Sequence, residues 1–130
     1  MYWRAAAPRD ELSYPLEWMR FTHSLRQNRD FKRVYSRGRS VAGSLLAVYV
    51  RPNRGATNRL GLTVGSKLGG AVVRNRVRRR LKEVYRRHEG VLLSGYDMVL
   101  VARSRSVDAS YWDLERELLR LFARLGLRRT

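Results

Sequence analysis

The chain contains no cysteine, and this absence excludes several kinds of chemistry. Disulfide frameworks, cysteine-ligated zinc sites and thiol catalysis all require that residue. Long apolar segments are also missing, since the longest apolar run, 45–50, is far too short to cross a bilayer. Residues 1–15 lack the apolar stretch of a secretory signal peptide. We therefore expect a soluble, cytoplasmic protein with no membrane partner.

Acidic residues are scarce as well. The 130 residues include 11 acidic and 28 basic side chains, so the formal net charge is +17. Hydrophobic residues make up 44% of the chain, which is enough for a globular core and too much for a disordered basic tail. Of the basic residues 25 are arginines, whose forked guanidinium groups suit phosphate. A charge of this size predicts a polyanionic partner.

Hydrophobic periodicity predicts one domain over 21–130, preceded by an extension over 1–20. A short helix over 29–37 is expected between Asn28 as N-cap and Gly38. A long helix is expected over 71–88, and a last helix begins at Ser110, with Asp113 completing a capping box. Strands are expected over 45–51, 59–66 and 96–103, with a short extended piece over 39–42. This element order predicts an α+β fold, a two-layer α/β sandwich with a mixed sheet.

The segment from Lys67 to Arg87 carries the most information about function. It contains nine basic residues and one acid, Glu83. An ordinary solvent-exposed helix interleaves acids with bases to gain pairs between successive turns. The near-absence of acids here favours contact with a nucleic acid instead. An apolar stripe fixes which face of this helix is buried: Val73, Val77, Leu81, Val84 and Tyr85.

Aromatic side chains add a second indication. Phe31, Val34 and Tyr35 form one stripe on the short helix, and Tyr49 lies on the following strand. By periodicity alone Phe31 and Tyr35 are core residues. Alternatively they are platforms for single-stranded RNA, which is typically held by aromatic rings beside a basic groove. No helix of helix-turn-helix spacing precedes the basic helix, which disfavours reading of a DNA major groove.

Candidates for catalysis by this chain are weak. His23 and His88 lack metal-ligand spacing. Asp113 and Glu117 share a helix face, but each has an arginine three residues on. No phosphate-binding loop of P-loop spacing is present. We therefore expect neither a catalytic residue nor a metal site on this chain.

Several segments together resemble the bacterial ribonuclease P protein family. The stretch KLGGAVVRNRVRRRLKEVYR is similar to the family signature, with RNR at Arg74, Asn75 and Arg76. NRDFKRVYSRGRSVAG resembles the family's first helix and turn, and GLTVGSK resembles the strand before the signature. GYDMVLVAR and SYWDLERELLRLF resemble the last strand and helix. The resemblance extends over 25–126.

This resemblance implies a sandwich like the second domain of a small-subunit ribosomal protein, with a left-handed βαβ crossover. It implies that the catalyst is a large RNA subunit and that Mg²⁺ is bound mainly by that RNA and the substrate. The reaction removes the 5′ leader of precursor tRNA by hydrolysis of one phosphodiester. One protein per RNA is expected, and the catalytic role falls on the RNA subunit.

Position by position, the resemblance assigns two sets of residues. Contact with the RNA subunit falls to Lys67, Arg74, Asn75, Arg76, Arg78, Arg79 and Lys82. A cleft for the leader falls to Phe31, Tyr35, Tyr49 and Thr63. Three positions depart from the family pattern. Ser66 and Gly70 stand where a lysine and an asparagine are common, and Arg80 stands where an apolar residue is usual. The alternative function is a ribosomal or translation-associated RNA-binding protein with the same fold.

Overall fold

The computed structural model describes residues 22–129, so the extension over 1–20 lies outside the described residues. Five strands form one mixed sheet in the order β1-β4-β5-β3-β2. Strand β4 pairs in parallel with β1 and β5, whereas β3 is antiparallel to both β5 and β2. The elements are β1 Thr22–Ser24, α1 Asn28–Arg37, β2 Arg39–Ala42, β3 Leu46–Pro52, β4 Asn58–Thr63, α2 Ala71–His88, β5 Tyr96–Ala102 and α3 Tyr111–Arg124.

One face of the sheet is covered by α2 and α3 and carries the main core. Successive side chains of a strand point to opposite faces, and in β3 this alternation places Leu46, Val48 and Val50 in that core. The apolar stripe of α2 packs against them with Val77, Leu81, Val84 and Tyr85 buried. Val73, which the sequence also places in this stripe, is only half-buried at the start of the helix. From α3 the buried side chains are Leu114, Glu117, Leu118, Leu121 and Phe122.

Among the residues that the structure describes, α1 covers part of the opposite face of the sheet. Val34 is fully buried and forms a small cluster with Leu25 and Val99. Phe31, Tyr49 and Val101 are partly buried against this cluster. The second face therefore combines a small core with accessible sheet surface, and this surface is where the predicted cleft residues lie.

The predicted helix and strand bounds agree with the structure at most positions. Helix α2 has the predicted bounds, and Ser110 and Asp113 form the predicted capping box of α3. The predicted N-cap of α1 is wrong by one residue: Asn28 is already helical, and Gln27 precedes it without a side-chain cap. Strand β4 ends earlier than predicted, at Thr63, because a 3-10 turn, Ser66–Leu68, follows it.

Candidate nucleic-acid interface

The sheet face beneath α1 is organised in rows of side chains across neighbouring strands. The middle row runs Ser40, Tyr49, Val99, Gly61 by strand register. Helix α1 covers the Val99 and Gly61 end of this row. The next row, toward the carboxyl end of β4, runs Ala42, Ala47, Val101, Thr63. None of these four side chains is buried, so this row is an accessible floor beside α1.

Aromatic side chains from α1 and β3 form the wall of this floor. The Tyr35 ring meets the Tyr49 ring edge to face, with ring centroids 4.9 Å apart. The hydroxyls of Tyr35 and Thr63 form a hydrogen bond of 2.6 Å, which links α1 to β4. Tyr35 is 38% exposed, so it is not a core residue as helix periodicity alone would suggest. Phe31 is half-buried and lies against Gly61.

The structure thus brings all four predicted cleft residues onto one face of the sheet. We call the groove between α1 and the floor row the aromatic cleft; its residues are Phe31, Tyr35, Ala47, Tyr49, Thr63 and Val101. Val34 is fully buried and anchors α1 in the core, whereas Tyr35 is exposed and Tyr49 is only partly buried.

A row of charged side chains lies across the sheet next to the start of α1, and the sequence does not reveal it. By register, Arg51, Asp97, Arg59 and His23 lie side by side across four strands. The Arg59 guanidinium binds both carboxylate oxygens of Asp97, at 2.8 and 2.6 Å. Arg59 also reaches Asp30 in the first turn of α1, at 3.5 Å. This network connects the start of α1 to the sheet.

Electrostatics favour the ionised form of this network. Burial opposes ionisation of Asp97, but hydrogen bonds from Arg59 and Asn53 outweigh burial and lower the pKa of its carboxyl below the ordinary value. The hydrogen bond to Asp97 raises the pKa of Arg59 in turn. Asn53 donates to the same carboxylate at 2.9 Å from the β3–β4 loop. The buried carboxylate is therefore held as an anion with its partners in place.

Arg103 lies at the far end of the floor and is another residue that the sequence did not single out. It follows Val101 by two positions along the chain, so it emerges on the same side as the cleft. Its guanidinium donates to the Gly43 carbonyl at 2.9 Å, and the residue is exposed. The period of two from Val99 and Val101 is the signal that could have found it.

The floor leads directly to the loop before α2. Two residues beyond Thr63 lies Gly65, and Lys67 is exposed on the following 3-10 turn. Helix α2 then begins at Ala71 after Gly70, without a side-chain cap and without an acid in its first turn. Such a helix start leaves N–H groups free and carries a partial positive charge, which together favour an anion such as phosphate.

The arginines of α2 lie on two flanks of the helix. Because 3.6 residues make one turn, Arg74 and Arg76 are separated by about 200° around the axis. Arg74, Arg78 and Lys82 follow one another at intervals of four along one flank. Arg76 lies on the opposite flank, and Arg79 lies on the solvent side between the two.

Contacts within the protein differ between these side chains. Arg74 is half-buried and its Nε donates to the Gly69 carbonyl at 3.2 Å, so part of its donor capacity is used within the protein. Arg78 donates to the Asn75 side-chain oxygen at 2.9 Å. Arg76 and Arg79 are exposed and have no hydrogen-bond or ion-pair partner within 22–129.

The one acid of α2, Glu83, lies in the second half of the helix. Glu83 binds Arg86 at 2.7 Å and Arg87 at 3.1 Å, so the two arginines of the last turn share a single carboxylate. Arg80, where the family has an apolar residue, is half-buried and donates to the Ala109 carbonyl at 2.9 Å. Arg80 therefore has a packing role, and the exposed arginines without a partner among the described residues, Arg76 and Arg79, lie in the first half of α2.

Within 22–129 no group of three or more histidine, aspartate or glutamate side chains could hold a metal ion. No helix of this part of the chain is long and apolar enough to cross a membrane.

An aromatic floor continuous with a cationic helix start defines an RNA-binding protein of the α+β sandwich class. The sequence matches the family described as Ribonuclease P over residues 19–126. The chain belongs to the ribonuclease P protein family. It is 40% identical over 109 residues to the ribonuclease P protein component of Alkaliphilus metalliredigens, which covers 84% of this chain and 98% of that protein.

Solved structures give the same result. The RNase P protein of Staphylococcus aureus superposes with a TM-score of 0.76 at 30% identity, covering 82% of this chain and 98% of that one. The RNase P protein of Thermotoga maritima gives a TM-score of 0.73 at 32% identity, covering 78% and 96%. Family membership confirms the fold predicted from the resemblance. It also resolves the functional alternatives in favour of the protein component of a ribonucleoprotein endoribonuclease, with the ribonuclease P RNA as partner.

Proposed function

We propose that the aromatic cleft holds the unpaired 5′ leader of precursor tRNA while the start of α2 and its loop bind the RNA subunit. The observation that carries this proposal is the continuity of the two surfaces. Thr63 ends the accessible floor, and Lys67 and the uncapped start of α2 follow within eight residues. An RNA strand that leaves the cleft therefore reaches the start of α2, the end of the helix that favours phosphate.

The dimensions of the cleft suit a single strand. Its floor extends over β3, β5 and β4, which are spaced about 4.8 Å apart, so it is about 10 Å wide. Stacking on Tyr35 and Tyr49 requires exposed base faces, which a duplex does not offer. Arg103 at the end of the floor supplies a cation for the backbone of the bound strand.

The chemistry then belongs to the RNA subunit and the substrate. In this proposal Mg²⁺ is bound mainly by these RNAs, and one protein binds one RNA subunit in the cytoplasm. The protein contributes through positioning: it holds the leader, neutralises phosphates and so favours the bound substrate.

Reconstitution tests this proposal. Purified protein and a bacterial ribonuclease P RNA are combined at low Mg²⁺ with precursor tRNA, and release of the leader is followed with time. We expect maturation of the 5′ end with both components and none with RNase-free protein alone. Cleavage by the protein alone, or no effect of the protein on the RNA-catalysed reaction, would contradict the proposal. Mature tRNA, which lacks the leader, serves as the binding control.

A further inference from the structure

The indole of Trp112 is an exposed aromatic group on α3, the helix that covers, with α2, the face of the sheet opposite the aromatic cleft. It lies in the first turn of α3 and is 62% exposed. Tryptophan offers a large, rigid aromatic surface, which is the reason for its frequent use in binding sites. The function proposed above gives this ring no role.

Neighbouring side chains restrict the orientation of the Trp112 ring. The Tyr111 ring meets Trp112 edge to face, with centroids 5.1 Å apart. The Arg87 guanidinium lies over the Tyr111 ring, 5.6 Å from its centroid. Arg87 is fixed in turn by its ion pair with Glu83. This chain of contacts pre-organises the indole and lowers the entropy lost when a ligand stacks on it.

Charged groups of both signs lie near this ring. Arg116, one turn further along α3, has a side chain that is 75% exposed and pairs with Asp113 at 3.5 Å. The other acids nearby, Glu83 and Glu115, bind Arg87 at 3.1 Å and His88 at 2.7 Å. An aromatic face with arginines beside it matches the stacked base and phosphate of a nucleotide.

The second flank of α2 connects this ring to the RNA-binding surface described above. Arg80 and Arg87 both contact the start of α3, at Ala109 and Tyr111. Arg76, the second arginine of the RNR motif, lies on the same flank, one turn before Arg80. From Arg76 to Arg87 the flank is about 17 Å long. This flank of α2 therefore leads from the RNR motif to the start of α3.

We propose that Trp112 is a second RNA-contacting site, on which an unpaired base of the RNA subunit stacks while Arg116 binds an adjoining phosphate. This inference rests on the proposed function, because it takes the RNA subunit as the ligand. It adds an RNA contact on the α3 side of the molecule, separate from the aromatic cleft.

Fluorescence of Trp112 tests the contact directly. The other two tryptophans are replaced by Trp3→Phe and Trp18→Phe in the full chain, and emission is followed as a bacterial ribonuclease P RNA is added. We expect saturable quenching of Trp112 emission. Affinity for the same RNA is measured for Trp112→Ala, Trp112→Phe and the control Arg124→Ala, which changes an exposed residue in the last turn of α3.

Trp112→Ala should weaken RNA binding about 5- to 150-fold, the loss expected for one base–aromatic stack. Trp112→Phe should retain most of the affinity, and Arg124→Ala should leave it within about twofold. Unchanged affinity of Trp112→Ala overturns the inference. Emission of Trp112 that changes with protein concentration in the absence of RNA also overturns the inference, because a second copy of the protein then covers the ring. If the unmodified protein fails to bind the RNA, the proposed function itself fails, so the two failures are distinguishable.

Discussion

Gly61 determines how closely α1 approaches the sheet, and Gly61→Ala is the sharpest single perturbation of the aromatic cleft. A Cβ at this position would lie 2.5 Å from Cζ and 2.7 Å from Cε2 of Phe31, and 3.3 Å from a methyl group of Leu25. Distances below 3.0 Å are not tolerated, so one of the partners has to move. The backbone of Gly61 is ordinary strand, so strain in φ plays no part.

The Phe31 ring is the group that moves. Strand β4 is paired on both sides, with β1 and β5, which resists displacement of Gly61 itself. The ring therefore rotates toward the cleft or lifts α1. Overpacking of this kind costs about 1–3 kcal/mol of folding free energy. For a chain of this size each kcal/mol lowers Tm by roughly 4 °C. Loss of one aromatic platform weakens leader binding by about 1–3 kcal/mol.

Two measurements on the Gly61→Ala protein check this reasoning. Thermal unfolding gives the change in Tm, and titration of the reconstituted enzyme gives affinities for precursor tRNA and for mature tRNA. We expect a lower Tm and a selective loss for the precursor. Gly90→Ala is the matched control, because a Cβ there meets no atom within 4 Å and the residue is remote from the cleft. An unchanged Tm together with unchanged leader affinity would refute the contact between Phe31 and Gly61.

Other predictions follow from charge and burial. The lowered pKa of Asp97 means that its ionised form stabilises the fold above its ordinary value of 3.8, and this stabilisation is lost as pH falls through the lower folded-state value. Asp97→Asn should therefore lower Tm at pH 7 and flatten its decline in acid; an unaltered pH profile would contradict this. Arg76→Ala should weaken binding of the RNA subunit about 10- to 150-fold, the cost of one charge-assisted contact, without changing Tm; a large loss of Tm would show that the side chain is structural. Val77→Asp should abolish the folded circular dichroism spectrum, since it buries an unpaired charge; a native spectrum would contradict the packing of α2. If about five phosphates are neutralised, the log–log salt dependence of RNA affinity should have a slope near −3.5 to −4.5; a slope near zero would exclude the cationic surface as the binding device.

The long helices could be predicted because their signals are local. The apolar stripe of α2 repeats over about three and a half turns and fixes both the helix and its buried face. The Ser110–Asp113 capping box lies within four residues and fixes the start of α3. The cationic surface also follows from composition, because eight of the nine basic residues between Lys67 and Arg87 lie on α2 itself.

Long-range pairings could not be predicted in the same way. Strand β1 has three residues and exists through its parallel pairing with β4, more than thirty residues away. The ion pair of Arg59 with Asp97 depends on the register between β4 and β5, which no local pattern specifies. The same applies to Thr63, which meets Tyr35 only because α1 crosses the sheet. The resemblance to the family names candidate residues for the cleft, but only the structure shows how these residues are arranged.

The most direct test of the central claim is the effect of Tyr49 on leader binding. The affinity of the reconstituted enzyme is measured for precursor tRNA with a leader of several nucleotides and for mature tRNA, using the unmodified protein, Tyr49→Phe and Tyr49→Ala. We predict that Tyr49→Ala weakens binding of the precursor about 5- to 150-fold, as loss of a stacked base requires, and leaves binding of mature tRNA unchanged. Tyr49→Phe should retain the preference for the precursor. Equal losses for both RNAs, or no loss for either, would contradict a leader-binding role for the aromatic cleft.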